Sequence, residues 1–212
     1  MKNATCRIGC VLIFAFASAC GGGGSSPAPT APAEPPPSFS ELQTDYQALL
    51  SSVGTVPYLD PIDLPATGSA QYEGVVKITG DVSMTELTGQ MFLDINFQDR
   101  SVNGSAENFR LNDNTLLSGS LPLNETSIQL DLIPGERAFV GSFEDSRLTQ
   151  PGVTYDFEGL GFDGWFQTTG SNDPSYVDGG VGGEMIIDDT PASFGDGIRE
   201  TTDGYYVTEK VD

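Results

Sequence analysis

The sequence predicts an all-β protein: a single antiparallel up-and-down β-barrel of about eight strands, preceded by a signal peptide, a Gly/Pro-rich tether and one short helix. Three observations carry this. From residue 68 onward, apolar residues recur with a period of two. Gly74, Gly89, Gly104 and Gly119 stand one strand plus one turn apart, each on the apolar face of its strand. Only one stretch, residues 38–53, shows helical spacing.

Residues 1–19 have the form of a secretory signal. Lys2 and Arg7 precede a compact apolar run, Ile8 to Ala19, which is too short to cross a bilayer as a helix of about 20 residues. The run ends in Ala17-Ser18-Ala19-Cys20. Small residues before a cysteine resemble the bacterial lipobox, although Ala17 stands where Leu is more usual. The resemblance implies cleavage before Cys20, acylation of its sulfur and amino group, and attachment to a membrane through the lipid. Gly21 after Cys20 is not the aspartate of inner-membrane-retained lipoproteins, which favours the outer membrane of a Gram-negative bacterium.

Residues 20–37 read as a tether. Gly21-Gly22-Gly23-Gly24-Ser25-Ser26 is a flexible coil, and six prolines follow in residues 27–37. At about 3.1 Å per residue, the proline part gives roughly 34 Å of stand-off. Residues 38–56 hold the helix. Phe39, Leu42, Tyr46, Leu49, Leu50 and Val53 form one stripe, Ser38 and Glu41 make a capping box, and Gly54 and Pro57 stop it. The stripe is expected to cover the end of the barrel.

Residues 57–212 are the barrel. Tyr72, Gly74, Val76 and Ile78 share one face of a strand, and Leu87, Gly89, Met91, Leu93, Ile95 and Phe97 share one face of the next. Val102, Gly104 and Ala106 follow, then Leu117 to Leu123, Ile128 to Leu132, and Phe139 to Phe143. Val153, Tyr155, Phe157, Gly159 and Gly161 continue the series, with later strands at Val181–Ile187 and Tyr205–Val207. A two-sheet sandwich is the alternative arrangement.

Charge and composition exclude several chemistries. The chain carries 9 basic and 30 acidic residues and no histidine. Without its first 19 residues it has 7 basic and 30 acidic, a net of −23. That balance repels nucleic acid and anionic lipid. Zero histidines removes the commonest metal ligand and the Ser-His and Cys-His nucleophile pairs. The cysteines are Cys6, Cys10 and Cys20, so the processed chain has one and forms no internal disulfide. No enzyme, cofactor or metal is expected. Acidic loops at Asn172-Asp173 through Asp178, at Asp188-Asp189 and at Asp196-Gly197 could supply oxygens to calcium, but without the twelve-residue loop spacing. Tyr155, Tyr176, Tyr205 and Tyr206 are conceivable haem ligands, with buried or rim aromatics the plainer reading.

Nine acids and no base lie between Arg147 and Arg199. Such a field either keeps the protein soluble in a salty medium or steers basic partners, whether a protein or a cationic ligand. Trp165, Phe166 and Tyr176 read as exposed anchors beside it, with Asp173 and Asp178, in late loops spanning roughly 163–180. The competing reading has these aromatics plug the barrel mouth.

Leu64-Pro65-Ala66-Thr67-Gly68-Ser69-Ala70-Gln71-Tyr72-Glu73-Gly74 resembles the first strand of small bacterial lipoproteins with the transferrin-binding-protein B type barrel. Leu93-Asp94-Ile95-Asn96-Phe97, leading through Ser101–Ala106 to Asn108-Phe109, is similar to the strand pair that follows in that family. Gly159–Phe166 with Asp178-Gly179-Gly180 looks like a later element, but Trp165-Phe166-Gln167 lacks the family's Gly-Pro turn. The resemblance spans about residues 64–212. It implies an eight-stranded barrel on a lipid anchor, often displayed at the cell surface, and it transfers no contact residues.

The reading is therefore a non-catalytic, monomeric outer-membrane lipoprotein whose tethered acidic barrel binds a partner. The alternatives are a structural or envelope-maintenance lipoprotein facing the periplasm, and a small-molecule carrier using the barrel interior.

Overall fold

The computed structural model describes residues 35–81, 83, 85–124, 126–130, 136–144, 146–170, 173–188 and 198–211. The signal segment, Cys20 and the tether up to residue 34 lie outside the described residues, as do Asn172, Asp189, Asp196 and Gly197. The last tether residues are held in place. Arg110 donates from Nε to the Pro37 carbonyl at 2.9 Å and from a terminal nitrogen to that of Pro36 at 3.2 Å.

Helix α1 spans Phe39–Val53, and its start is the capping box expected from the sequence. Glu41 N–H donates to Ser38 Oγ at 3.3 Å, and Ser38 N–H donates to Glu41 Oε2 at 2.8 Å. These bonds satisfy two amides at the helix start, one of which would otherwise lack an intrahelical partner. The helix does not cover a barrel end. Leu42, Tyr46 and Val53 pack on Val75 and Val207, with Tyr176 and Tyr205 beside them. On the same strand, Tyr72, Val76 and Ile78 belong to a separate, larger core. Successive strand residues face opposite ways, so α1 lies on the outer face of the sheet. The alternation has an apolar exception at Val75, and α1 is what covers it.

Among the described residues eleven strands follow the sequence order: β1 (Tyr58–Leu59), β2 (Ser69–Gly80), β3 (Glu86–Asn96), β4 (Ser101–Leu111), β5 (Ser120–Pro122), β6 (Thr126–Ser127), β7 (Phe139–Ser142), β8 (Ser146–Gln150), β9 (Val153–Gln167), β10 (Tyr176–Asp188) and β11 (Ile198–Val211). All pair antiparallel in one sheet, in the order β1-β9-β10-β11-β2-β3-β4-β5. β6 also pairs with β4, and β7 and β8 pair with β9. The count exceeds the expected eight because two stretches are cut into short pieces, β5 with β6 and β7 with β8, and because the two-residue β1 adds one more. The strand-paired path does not close. Between these broken stretches run two isolated bridges, Ser118 with Thr149 and Leu123 with Phe143. Main-chain hydrogen bonds from Asn124 to Ser142 (2.8 Å) and from Glu144 to Pro122 (2.9 Å) accompany them.

Two bulges reset the alternation. In β4, two residues oppose Gly89, and Asn108 adopts a left-handed φ of 55°. The inward series therefore runs from Ala106 to Phe109, not to residue 108. In β9, Gly159 at φ 59° lies opposite Gly183, and the inward series passes from Phe157 to Leu160. Gly161, expected on the apolar face, consequently points outward. The predicted late loop is also mostly strand, since residues 163–167 close β9 and 176–180 open β10. Pairing with neighbours, rather than the weak strand preference of this Gly- and Asp-rich stretch, holds it extended.

The inner face is filled with side chains. Phe139 and Phe166 lie 5.8 Å apart edge-on, Phe143 and Phe162 lie 5.5 Å apart, and Phe97 completes the cluster at 6.3 Å from Phe166. Tyr72 and Tyr206 are fully buried there. Gly74 and Gly104 are needed for close approach. A Cβ on Gly74 would fall on the Val207 carbonyl and 2.6 Å from Thr208 Cα, and one on Gly104 would strike the Phe92 carbonyl.

Candidate partner-binding face

The end of β9 distributes its side chains by strict alternation. Trp165 points outward and is half-buried, with its ring 6.3 Å from that of Tyr58 on the neighbouring β1. Phe166 points inward and has no exposure, so it is a core residue and cannot anchor a partner. Asp178 is likewise removed from the surface. It lies opposite Trp165 in the register of β10 and is 1% exposed.

Asp178 is instead the centre of a buried polar cluster on the outer face. Gln167 Nε2 donates to Asp178 Oδ1 at 2.9 Å, and the Tyr205 hydroxyl donates to Oδ2. Burial pushes the Asp178 carboxyl above its usual value, and the two donated hydrogen bonds oppose that shift. Burial and the adjacent carboxylate push the Tyr205 phenol up, so it stays a donor. Gln167 Oε1 has no hydrogen-bond partner among the described residues. A rotated Gln167 amide would offer that oxygen to a protonated Asp178, which is the form burial favours.

The remaining predicted residues stay accessible. Asp173, in the 168–175 connection, is well exposed and pairs with Lys210 at 2.8 Å. Tyr176 is half-buried against α1, and burial followed by Glu209 raises its phenol. The tyrosine hydroxyls considered as haem ligands are mostly engaged within the protein. Tyr206 donates to the Asp163 carbonyl at 2.9 Å, Tyr155 accepts from Gln150 at 3.1 Å, and Tyr205 serves Asp178. Among the described residues, no group of three or more Cys, Asp or Glu side chains is placed to hold a metal.

The alternation hid other members of this face. Next to Trp165 on the outer side of β9 come Asp163 and Gly161, facing Gly180 and Gly182 of β10. Asp163 accepts from Gly180 N–H at 2.8 Å and from Arg137 at 3.0 Å. The exposed Val140 of β7 and Asp203 of β11 flank this row. Together they surround a hollow of about 330 Å³. A second hollow, of about 490 Å³, lies at the other end of the sheet, among Ser69, Gln71, Asp94, Asn103 and Lys210. The sequence signal for the first was the coincidence of Gly161, Gly180 and Gly182 with Asp163, readable only once Gly159 had reset the register.

No described helix is long and apolar enough to cross a membrane. A scan of protein-family models finds none that matches this chain, and a search of curated proteins finds no match.

Proposed function

We propose that this chain is a non-catalytic outer-membrane lipoprotein, anchored through acylated Cys20, whose acidic β-domain binds a basic protein or cationic ligand at the cell surface. In this reading the sheet works as a barrel of the transferrin-binding-protein B type. The bridges Ser118–Thr149 and Leu123–Phe143 join its two broken stretches, and the Phe-lined interior is packing rather than a carrier site. The observation that carries the reading is the outward ring pair Tyr58 and Trp165, with Trp165 two residues along β9 from Asp163 in a stretch of nine acids and no base. Aromatic anchors next to steering charge are the usual make-up of a binding surface.

Three experiments test it. Replacing Cys20 by Ser should release the protein from the membrane fraction and abolish incorporation of labelled palmitate. Protease added to intact cells should degrade the β-domain, whereas full protection would favour the periplasmic, envelope-maintenance role. Pull-down with residues 35–212 should recover a basic partner at low salt and lose it at high salt. An empty eluate at both salts would refute the binding role.

A further inference from the structure

We propose that the glycine-floored trough on the outer face of β7, β9, β10 and β11 receives the arginine or lysine side chains of an extended basic segment of a partner protein. This rests on the binding role above and assigns it a place and a chemistry.

The floor is unusual in what it lacks. Gly161 and Gly182 are cross-strand partners in the middle of long strands. A Cβ on Gly161 would meet nothing closer than the Gly141 carbonyl at 3.6 Å, and one on Gly182 nothing closer than the Thr202 carbonyl at 3.4 Å. Neither residue has a left-handed φ. Packing therefore does not require glycine at either site, in contrast to Gly183 directly after them, whose Cβ would strike Leu160. Glycine inside a strand costs about 0.5–1 kcal/mol relative to alanine. Two such glycines side by side forgo a cross-strand pair that would add stability. What they secure is the hollow itself, about 330 Å³ on an otherwise pleated surface.

The walls select a cation. Asp163 and Asp203 stand on either side of the floor. The Arg137 guanidinium already rests on Asp163 at 3.0 Å with its side chain 56% exposed, so a guanidinium fits this wall and sits where an incoming one could replace it. Two residues along β9 from Asp163 stands Trp165, with the ring of Tyr58 (57% exposed) on the neighbouring β1 6.3 Å from it. Carboxylates with adjacent aromatic faces favour guanidinium and ammonium groups. The net charge of the chain draws basic segments toward it and repels acidic ones.

The test uses the full chain purified in detergent and titrated with an alternating Gly-Arg octapeptide, with a Gly-Glu octapeptide as control. Trp165 is the only tryptophan, so its fluorescence reports events at the trough. The Gly-Arg peptide should shift Trp165 emission in a saturable, salt-sensitive way, and the Gly-Glu peptide should not. Gly161→Val combined with Gly182→Val fills the trough. It should weaken binding by about tenfold or more while leaving the melting temperature equal or higher. Asp203→Asn should weaken binding more than Asp45→Asn, which removes the same charge from the exposed side of α1. This pair decides the matter if the double valine variant does not fold. Unchanged affinity in the filled variant, or equal effects of the two Asp→Asn changes, would overturn the trough while leaving an acidic binding domain standing. No binding of the Gly-Arg peptide to the unaltered chain at low salt would overturn both.

Discussion

Replacing Tyr205 by Phe removes one hydroxyl and keeps the ring that packs beside α1. The hydroxyl is one of two side-chain donors to the buried Asp178 carboxylate, the other being Gln167 Nε2. No cavity forms, so the cost is that of one hydrogen bond. With Asp178 ionised the bond is charge-assisted, and its loss should cost about 1.5–3 kcal/mol. With Asp178 protonated the loss is that of a neutral pair, about 0.5–1.5 kcal/mol. The sign of the pH effect follows from burial. Asp178 has its folded carboxyl raised, so the native state holds this proton more tightly than the unfolded chain. Its contribution to stability is present at low pH and is lost as pH rises through the folded value. Removing the Tyr205 donor raises that value further and steepens the loss. Urea unfolding of both proteins at about pH 4 and about pH 7 measures this, by linear extrapolation. The deficit of Tyr205→Phe should be larger at the higher pH by about 1 kcal/mol. An equal deficit at both pH values would refute the assignment of Asp178 as a buried, titrating acceptor. Asp178→Asn provides the complement. The unpartnered Gln167 Oε1 can turn to accept from the new amide, and the pH dependence should flatten.

Three further outcomes are expected. Leu42→Ala empties the best-buried position of α1 and should cost about 2–5 kcal/mol in denaturant unfolding. Tyr205 should become more accessible to iodination as the helix loosens. Ser38→Ala removes the side-chain half of the capping box and should cost about 1 kcal/mol, read as a lower thermal midpoint. Gly74→Ala drives a Cβ into the backbone of β11 and should cost about 3 kcal/mol or more, whereas Gly182→Ala should be neutral or stabilising by the same assay.

The helix was legible because its signals are local. A Ser-x-x-Glu start, an apolar stripe and a glycine stop all act within one turn of the residues they govern. β2 and β3 were legible for a similar reason, since alternation with few exceptions, Val75 among them, leaves a single register that buries the apolar set. Legibility failed at Asn108 and Gly159. A bulge is an agreement between two strands about which residue goes unpaired, and one strand's sequence does not record it. Past Gly159 the expected facing within β9 was therefore inverted, with Gly161 moved out and Leu160 moved in, whereas Val181, Met185 and Ile187 of β10 face the core as expected; residues 163–180 proved to be largely strand. Composition alone places Phe166 and Asp178 at the surface, because an aromatic and an acid in a Gly- and Asp-rich stretch read as a loop tip.

By itself the sequence determined the β class, the single capped helix, the strong acidity and the absence of histidine chemistry, because these depend on composition and on near neighbours along the chain. Only the tertiary structure decided that α1 lies on the outer face over Val75 and Val207, that Asp178 is sealed beneath Tyr205, and that Gly161 and Gly182 meet to leave a trough. Each of those depends on which residues far apart in sequence are brought side by side, and pairing across strands, rather than the preference of any one segment, sets that.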